Sequence, residues 1–215
     1  MSAKIPFKIS EEKLVLCEGE ADKAIFRRLL ELNGCTGIQV VDYGGKDEIP
    51  RALEYLVTQK PDHPIRSLLI TRDADENWAN ALENVKKSLD TVKGQVELSV
   101  PVDLDCFTTS PLAVAISLLP GVQMNGELED LCVQSYATDP IIPCIDGYFE
   151  CTDMVGVGVE EKDRSKAKMQ VWSAVRGKPG EALYYSFKDG KFDAFLKHTS
   201  FQPLVDLLRQ MSELA

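Results

Sequence analysis

Ser67-Leu68-Leu69-Ile70-Thr71-Arg72-Asp73-Ala74-Asp75 is an apolar run that ends in two carboxylates. Leu68 to Thr71 reads as a buried strand, and the following stretch reads as a helix whose apolar side is Trp78, Ala81, Leu82, Val85 and Leu89. On a short extended segment, the i, i+2 spacing puts Asp73 and Asp75 on the same side, within reach of one divalent cation. The position just outside the carboxyl end of a buried strand is where open α/β sheets keep their ligands. The competing reading is a solvated turn in which an Asp caps the next helix.

The same alternation extends outward from this stretch. Leu14 to Cys17 reads as a strand, followed by a helix from about Asp22 to Leu32 with Ile25, Phe26, Leu29 and Leu32 on its apolar side. Ile38 to Val41 is a second strand. Tyr43-Gly44-Gly45-Lys46-Asp47 turns into a helix carrying Ile49, Leu53, Leu56 and Val57, and Pro61 and Pro64 bracket its exit. Val96 to Val100 and Val114 to Leu118 are further strand candidates, stopped by Pro101 and by Pro120-Gly121. Short apolar runs alternating with amphipathic helices predict an α/β fold with a mostly parallel sheet. From Gly126 onward the pattern becomes helical, with helices expected over Glu127 to Ala137, Ser165 to Val175 and Phe201 to Met211. No internal repeat or linker divides the chain. It reads as one domain over 1–215, with a core over about 12–120 and a helical extension over about 121–215.

The 215 residues carry a net charge of −10 and are 44% hydrophobic, as expected of a globular protein. Such a surface repels a polyanion over long range and argues against avid nonspecific binding of nucleic acid by this chain alone. The densest positive stretches are Lys86-Lys87 and Lys162 to Lys168. No apolar run is long enough to span a bilayer, and Met1 to Pro6 lacks the apolar core of a secretory signal. The expectation is a cytoplasmic protein with no membrane partner. The six cysteines show no CxxC pair and too few neighbouring histidines for zinc. Cys17 and Cys132 read as small buried hydrophobes.

Glu18 follows the first apolar run directly and should project at the carboxyl edge of the sheet, where Gly19 lets the backbone turn. If strands one and three are neighbours in a parallel sheet, Glu18 meets Asp73 and Asp75 there. Asp22, one helical turn later, can add a ligand. Oxygen ligands without His or Cys select hard cations such as Mg²⁺, Mn²⁺ or Ca²⁺.

Three pieces in order, Leu14-Val15-Leu16-Cys17-Glu18-Gly19-x-x-Asp22, Gly44-Gly45-Lys46 and Ile70-Thr71-Arg72-Asp73-Ala74-Asp75, resemble a Toprim domain over roughly residues 12 to 120. The second half resembles small stand-alone Toprim-like proteins related to the OLD-family nucleases. It does so through Met124-Asn125-Gly126-Glu127-Leu128-Glu129-Asp130-Leu131 and Ser165-Lys166-Ala167-Lys168. The resemblance implies a strand-end Glu and a later DxD on a compact α/β sheet. It also implies Glu129 as a further metal ligand and Lys166 as a charge-stabilising catalytic residue, with Glu127 and Lys168 as near alternatives. Acidity at a helix N-terminus is the plain reading of Glu127, Glu129 and Asp130. A solvated helix face is that of Lys166 and Lys168.

The function so implied is a Mg²⁺- or Mn²⁺-dependent phosphodiester hydrolase, a nuclease using two metals. Glu18, Asp73 and Asp75 hold one cation, with Asp22 and Glu129 helping to hold a second. Unlike the OLD nucleases, the chain has no phosphate loop of the Gly-x-x-x-x-Gly-Lys-Ser/Thr type, so ATP-driven regulation would need a protein partner. The alternative is a non-catalytic Toprim-like module that binds metal or nucleotide within a defence or repair complex. A phosphohydrolase with a nucleophilic Asp on strand one ranks last, because Glu18 stands there.

Overall fold

Four of the five expected apolar runs form strands of one sheet, and the amphipathic stretches between them form its crossover helices. A computed structural model describes residues 7–59 and 64–214. In chain order, β1 (Lys13–Cys17) leads through α1 (Glu20–Leu32) to β2 (Ile38–Asp42), and α2 (Ile49–Thr58) leads to β3 (Ser67–Asp73). Next come α3 (Trp78–Val92) and β4 (Ala113–Leu119), then α4 (Leu128–Ser135), α5 (Ile142–Met154) and α6 (Arg164–Arg176). The chain closes with α7 (Leu183–Lys188), α8 (Asp193–Leu196) and α9 (Gln202–Glu213). The expected turn at Pro61 and the segment Met1 to Pro6 lie outside the described residues.

The strand order is β2-β1-β3-β4, and every pairing is parallel. β1 is central: Leu16 stands beside Val41 on one side and Ile70 on the other. Right-handed crossovers then decide which face each helix covers. The β1-to-β2 connection runs one way along the sheet, and the next two run the other way, so α1 lies on one face and α2 and α3 lie on the opposite one. The apolar residues divide accordingly. Leu14, Leu16, Leu68 and Ile70 pack with Leu53, Val85 and Leu89. Val15, Cys17 and Leu69 pack with Phe26 and Leu29 of α1 and with Leu204, Leu208 and Met211 of α9. The C-terminal helices thus complete the α1 face of the sheet, and Cys17 and Cys132 are buried as expected.

The C-terminal layer has an aromatic centre. Trp172 of α6 stacks on Tyr136, which follows α4, with centroids 4.3 Å apart. Asp139 accepts from Trp172 Nε1 at 3.0 Å and is paired with Arg176. These contacts hold α6 beside α4, which fixes the position of Lys166 relative to Glu127 and Glu129.

Val96 to Val100 is not a strand, contrary to expectation. Leu98 makes an isolated bridge with Leu112, and its side chain is buried against the α2–α3 face. The outer edge of β4 is taken by other residues: Asp105 N–H donates to the Ile116 carbonyl and Thr108 N–H to that of Val114. The apolar pattern therefore reports packing of side chains and not a fifth ladder position. α5, α7 and α8 escape the periodicity reading. In α5 only Ile145 and Phe149 are buried, too few to draw an apolar stripe.

Candidate metal centre

Where the chain order reverses, between β1 and β3, helices on opposite faces leave a crevice outside the carboxyl ends of the strands. Both sequence motifs arrive there. Glu18 follows β1, and its carbonyl accepts the amides of Gly44 and Gly45 at 3.2 and 3.0 Å. Those glycines have φ of 89° and 118°, a region that residues with a Cβ avoid, so the turn after β2 folds over the end of β1 only because both are glycine. The Glu18 Oε2 atom is buried and has no hydrogen-bond partner. Burial raises the pKa of this carboxyl, and the charge of Asp75 raises it further; Arg72 and the backbone amides of Lys46 and Asp73 oppose the rise.

Asp73 ends β3 and faces α4, where its Oδ1 accepts the Leu128 N–H at 2.9 Å. That contact brings it to the acidic start of the helix: one carboxylate oxygen each from Asp73, Glu127 and Glu129 all lie within 4.8 Å of one another. Burial pushes the Asp73 pKa up to about 9, with the charges of Asp22, Glu18 and Glu129 adding to it. Asp22 of α1 is raised to about 7, first by burial and then by Glu129 and Glu18, against its own and Gly19's backbone amides. Glu129 is raised by burial as well, with Lys166 opposing.

Asp75 stands apart from Asp73. Its φ of 52° breaks the extended segment on which same-side placement depends, a conformation that Asp tolerates better than most residues. Its backbone forms an antiparallel bridge with Gly126, and its carboxylate lies 3.0 Å from Lys46 Nζ and 3.9 Å from Arg72. The carboxylates therefore fall into two groups, Asp73 with Glu127 and Glu129, and Asp75 with the two cations. Glu18 acts electrostatically on both Asp73 and Asp75.

The Gly126–Asp130 segment divides its acids between structure and site. Asp130 and Glu127 form a capping box: Asp130 Oδ2 accepts the Glu127 N–H at 2.7 Å, the Glu127 side chain accepts the Asp130 N–H, and Ser165 bonds the other Asp130 oxygen. The plain reading of helix-start acidity is correct for both residues, and Glu127 also reaches the Asp73 group. Gly126 has φ 131°, and a Cβ there would run into the Asp130 carboxylate. Lys166 Nζ lies 2.6 Å from Glu127 Oε2. Burial lowers the pKa of this amine, but Glu127, Glu129 and Asp73 outweigh that and leave it raised, hence charged. Lys168 pairs with Asp146 at 2.6 Å, outside this cluster.

Three residues beside the site had no role assigned from sequence: Arg72, Lys46, and Glu127 beyond its standing as an alternative. Arg72 sits inside the DxD stretch itself, and Lys46 follows the two glycines. Both were legible as strand-edge cations once β1, β2 and β3 were taken as neighbours.

The raised carboxyls make the metal-free protein sensitive to pH. Between the ordinary carboxylate range and the folded values of about 7 for Asp22 and about 9 for Asp73, the folded state keeps protons that the unfolded chain has lost. Stability must fall as pH rises through that window. Melting curves in EDTA should show this fall, and the Asp22→Asn/Asp73→Asn double variant should lose most of it. Equal slopes in the two proteins would refute the retention of protons by these two acids.

The fold and this site define an α/β protein of four parallel strands with an acidic cluster at the switch point of the sheet. Its family is the one described as "Protein of unknown function (DUF3226)": the chain belongs to it, the family model matching residues 12–213. No curated protein and no solved structure matches the chain. Among the described residues, no helix is long and apolar enough to cross a membrane.

Proposed function

We propose that this protein is a divalent-cation-dependent phosphodiester hydrolase acting on nucleic acid. The observation that carries the reading is the convergence of Asp73, Glu127 and Glu129 within 4.8 Å, beside a buried Glu18 oxygen that has no partner. Half-buried acids held this close are costly to ionise together unless something positive joins them. The donor set is oxygen only, which suits Mg²⁺ or Mn²⁺. Asp73, Glu127 and Glu129 would hold one cation, and Glu18, Asp22 and Asp75 are available to a second. This grouping differs from the one the DxD spacing implied, because Asp75 turns toward Lys46.

A cation bound there supplies charge neutralisation at a phosphodiester and an acidified water. The chain's own contribution is positioning: β1, β3 and α4 hold the carboxylates rigidly, and α6 presents the charged Lys166 amine to the developing negative charge. The Toprim resemblance supports the same assignment, since Glu18, Asp73 and Asp75 come from adjacent strand ends in the implied order. Six free cysteines suit the reducing cytoplasm in which we place the protein.

The net charge of −10 favours the second reading, a non-catalytic metal- or nucleotide-binding module working with a more basic protein partner. One set of measurements separates the two. Purified protein should gain melting temperature on addition of Mn²⁺ and should then nick or degrade single- or double-stranded DNA or RNA, best at low salt. Stabilisation without cleavage of any of the four substrates moves the assignment to the binding module. No stabilisation removes the metal centre altogether.

A further inference from the structure

We propose that Arg72, Lys46 and Lys87 line a phosphate-binding groove that seats the backbone of a nucleic-acid strand beside the acidic cluster. The inference rests on the hydrolase reading above and names the substrate contact of that same site. Its basis is the unusual state of Arg72. Side chains alternate along β3, so Arg72 points to the α2–α3 face while Asp73 points to α4. The Arg72 residue is 7% exposed, its Nε has no hydrogen-bond partner, and its nearest carboxylate is Asp75 at 3.9 Å. Other partly buried cations have a carboxylate at hydrogen-bond distance: Lys23 reaches Asp42 at 2.8 Å, Arg28 reaches Asp193 at 2.5 Å, and Arg164, whose Nη1 is also unpartnered, still reaches Asp153 at 2.6 Å. A buried guanidinium with an unused donor is costly, and its planar fork suits a phosphate.

The space in front of Arg72 is a groove with two parts. One, of about 340 Å³, is lined by Lys46, Asp47, Arg72 and Lys87 between α2 and α3. The other, of about 690 Å³, runs past Asp75 and Glu127. Lys46, Arg72 and Asn84 line both, so the first opens into the second. In a chain of net charge −10, the smaller part carries three cations against one carboxylate. A strand laid along it meets positive charge first, then passes Asp75 and reaches the acidic cluster at Glu127. Lys46 and Lys87 have one carboxylate partner each, Asp75 at 3.0 Å and Glu83 at 2.7 Å, and both lysines are exposed enough to exchange that partner for a phosphate. Arg72, at 3.9 Å from Asp75, has no such partner at hydrogen-bond distance among the described residues.

The test is fluorescence anisotropy with a short fluorescein-labelled single-stranded oligonucleotide, DNA and RNA in turn, over a salt series in Ca²⁺ and again in EDTA. The Lys46→Ala/Lys87→Ala double variant changes two exposed side chains. It should bind about tenfold more weakly and lose about 1.4 from the log–log salt slope, the share of two phosphate contacts on a single strand. Arg72→Lys, which keeps the charge and loses the fork, should also weaken binding. If that variant does not fold, the lysine pair still decides. Lys178→Ala/Lys197→Ala, on the other side of the chain's sequence and outside the groove, should match wild type. An unchanged salt slope in the Lys46/Lys87 variant, or no binding of either oligonucleotide by wild type, overturns the groove. Melting in Mn²⁺ reads the metal centre separately: a normal Mn²⁺ response with lysine-independent binding sinks the groove alone, and the reverse pattern sinks the hydrolase alone.

Discussion

Asp73→Asn is expected to make the metal-free protein more stable while ending its response to metal. In EDTA the substitution removes a carboxylate whose pKa is raised to about 9 by burial and by Asp22, Glu18 and Glu129. The asparagine carbonyl can still accept the Leu128 N–H, so the tie between β3 and α4 survives. A gain of about 1–3 kcal/mol at neutral pH follows from removing even part of the cost of holding this acid buried and protonated, which is a rise of several degrees in melting temperature. The same change takes a charged ligand from the Asp73–Glu127–Glu129 group. Mn²⁺ should then stabilise the variant little, and metal-dependent cleavage should drop by about a thousandfold or more. Thermal melts with and without Mn²⁺, paired with the cleavage assay, check both halves. A variant that is less stable in EDTA would show that Asp73 serves the fold as a helix cap first. That outcome would weaken the metal centre even if activity were lost.

Lys166→Ala should separate turnover from metal binding. The amine is 2.6 Å from Glu127 and senses Glu129 and Asp73, so in the metal-free protein it is the cation that balances the cluster. Removing it leaves the carboxylates more repulsive and the metal-free protein less stable. The affinity for Mn²⁺ should hold or rise, since the ion no longer competes with a fixed positive charge. If Lys166 acts on the charge that develops at the phosphate, kcat should fall by roughly 10²- to 10³-fold with KM nearly constant. A loss of Mn²⁺ affinity with kcat intact would mean that Lys166 only orients Glu127. Lys168→Ala is the matching control, because its partner is Asp146 on α5.

The sheet was legible to the extent that its strands are continuous apolar runs flanked by amphipathic helices. β1, β2, β3 and β4 all lie where those runs do, and Glu18 and Asp73 follow from strand ends alone. Val96 to Val100 has the same local pattern and is not a strand, because Asp105 and Thr108 already occupy the outer edge of β4. Local sequence records that a segment is apolar and has no means of recording which edge is free. The DxD spacing likewise predicts a shared side only for an extended backbone. Asp75 adopts φ 52° because Gly126, fifty-one positions later, holds its amide and carbonyl in a two-bond bridge.

By itself the sequence determined the class of fold, the strand ends at which the acids sit, and the oxygen-only character of the donors. All three depend on local periodicity and residue chemistry, which act over a few positions. Tertiary structure alone decided which acids meet: Glu127 and Glu129 reach Asp73 because α4 docks its N-terminus on β3, and Asp130 drops out because the Glu127 N–H and Ser165 take both its oxygens. It also decided that Arg72 and Asp73, neighbours in the chain, serve opposite faces of the sheet. The physical reason is that a pleated strand alternates its side chains. What each side chain meets is then set by helices whose placement follows from crossover handedness and long-range packing.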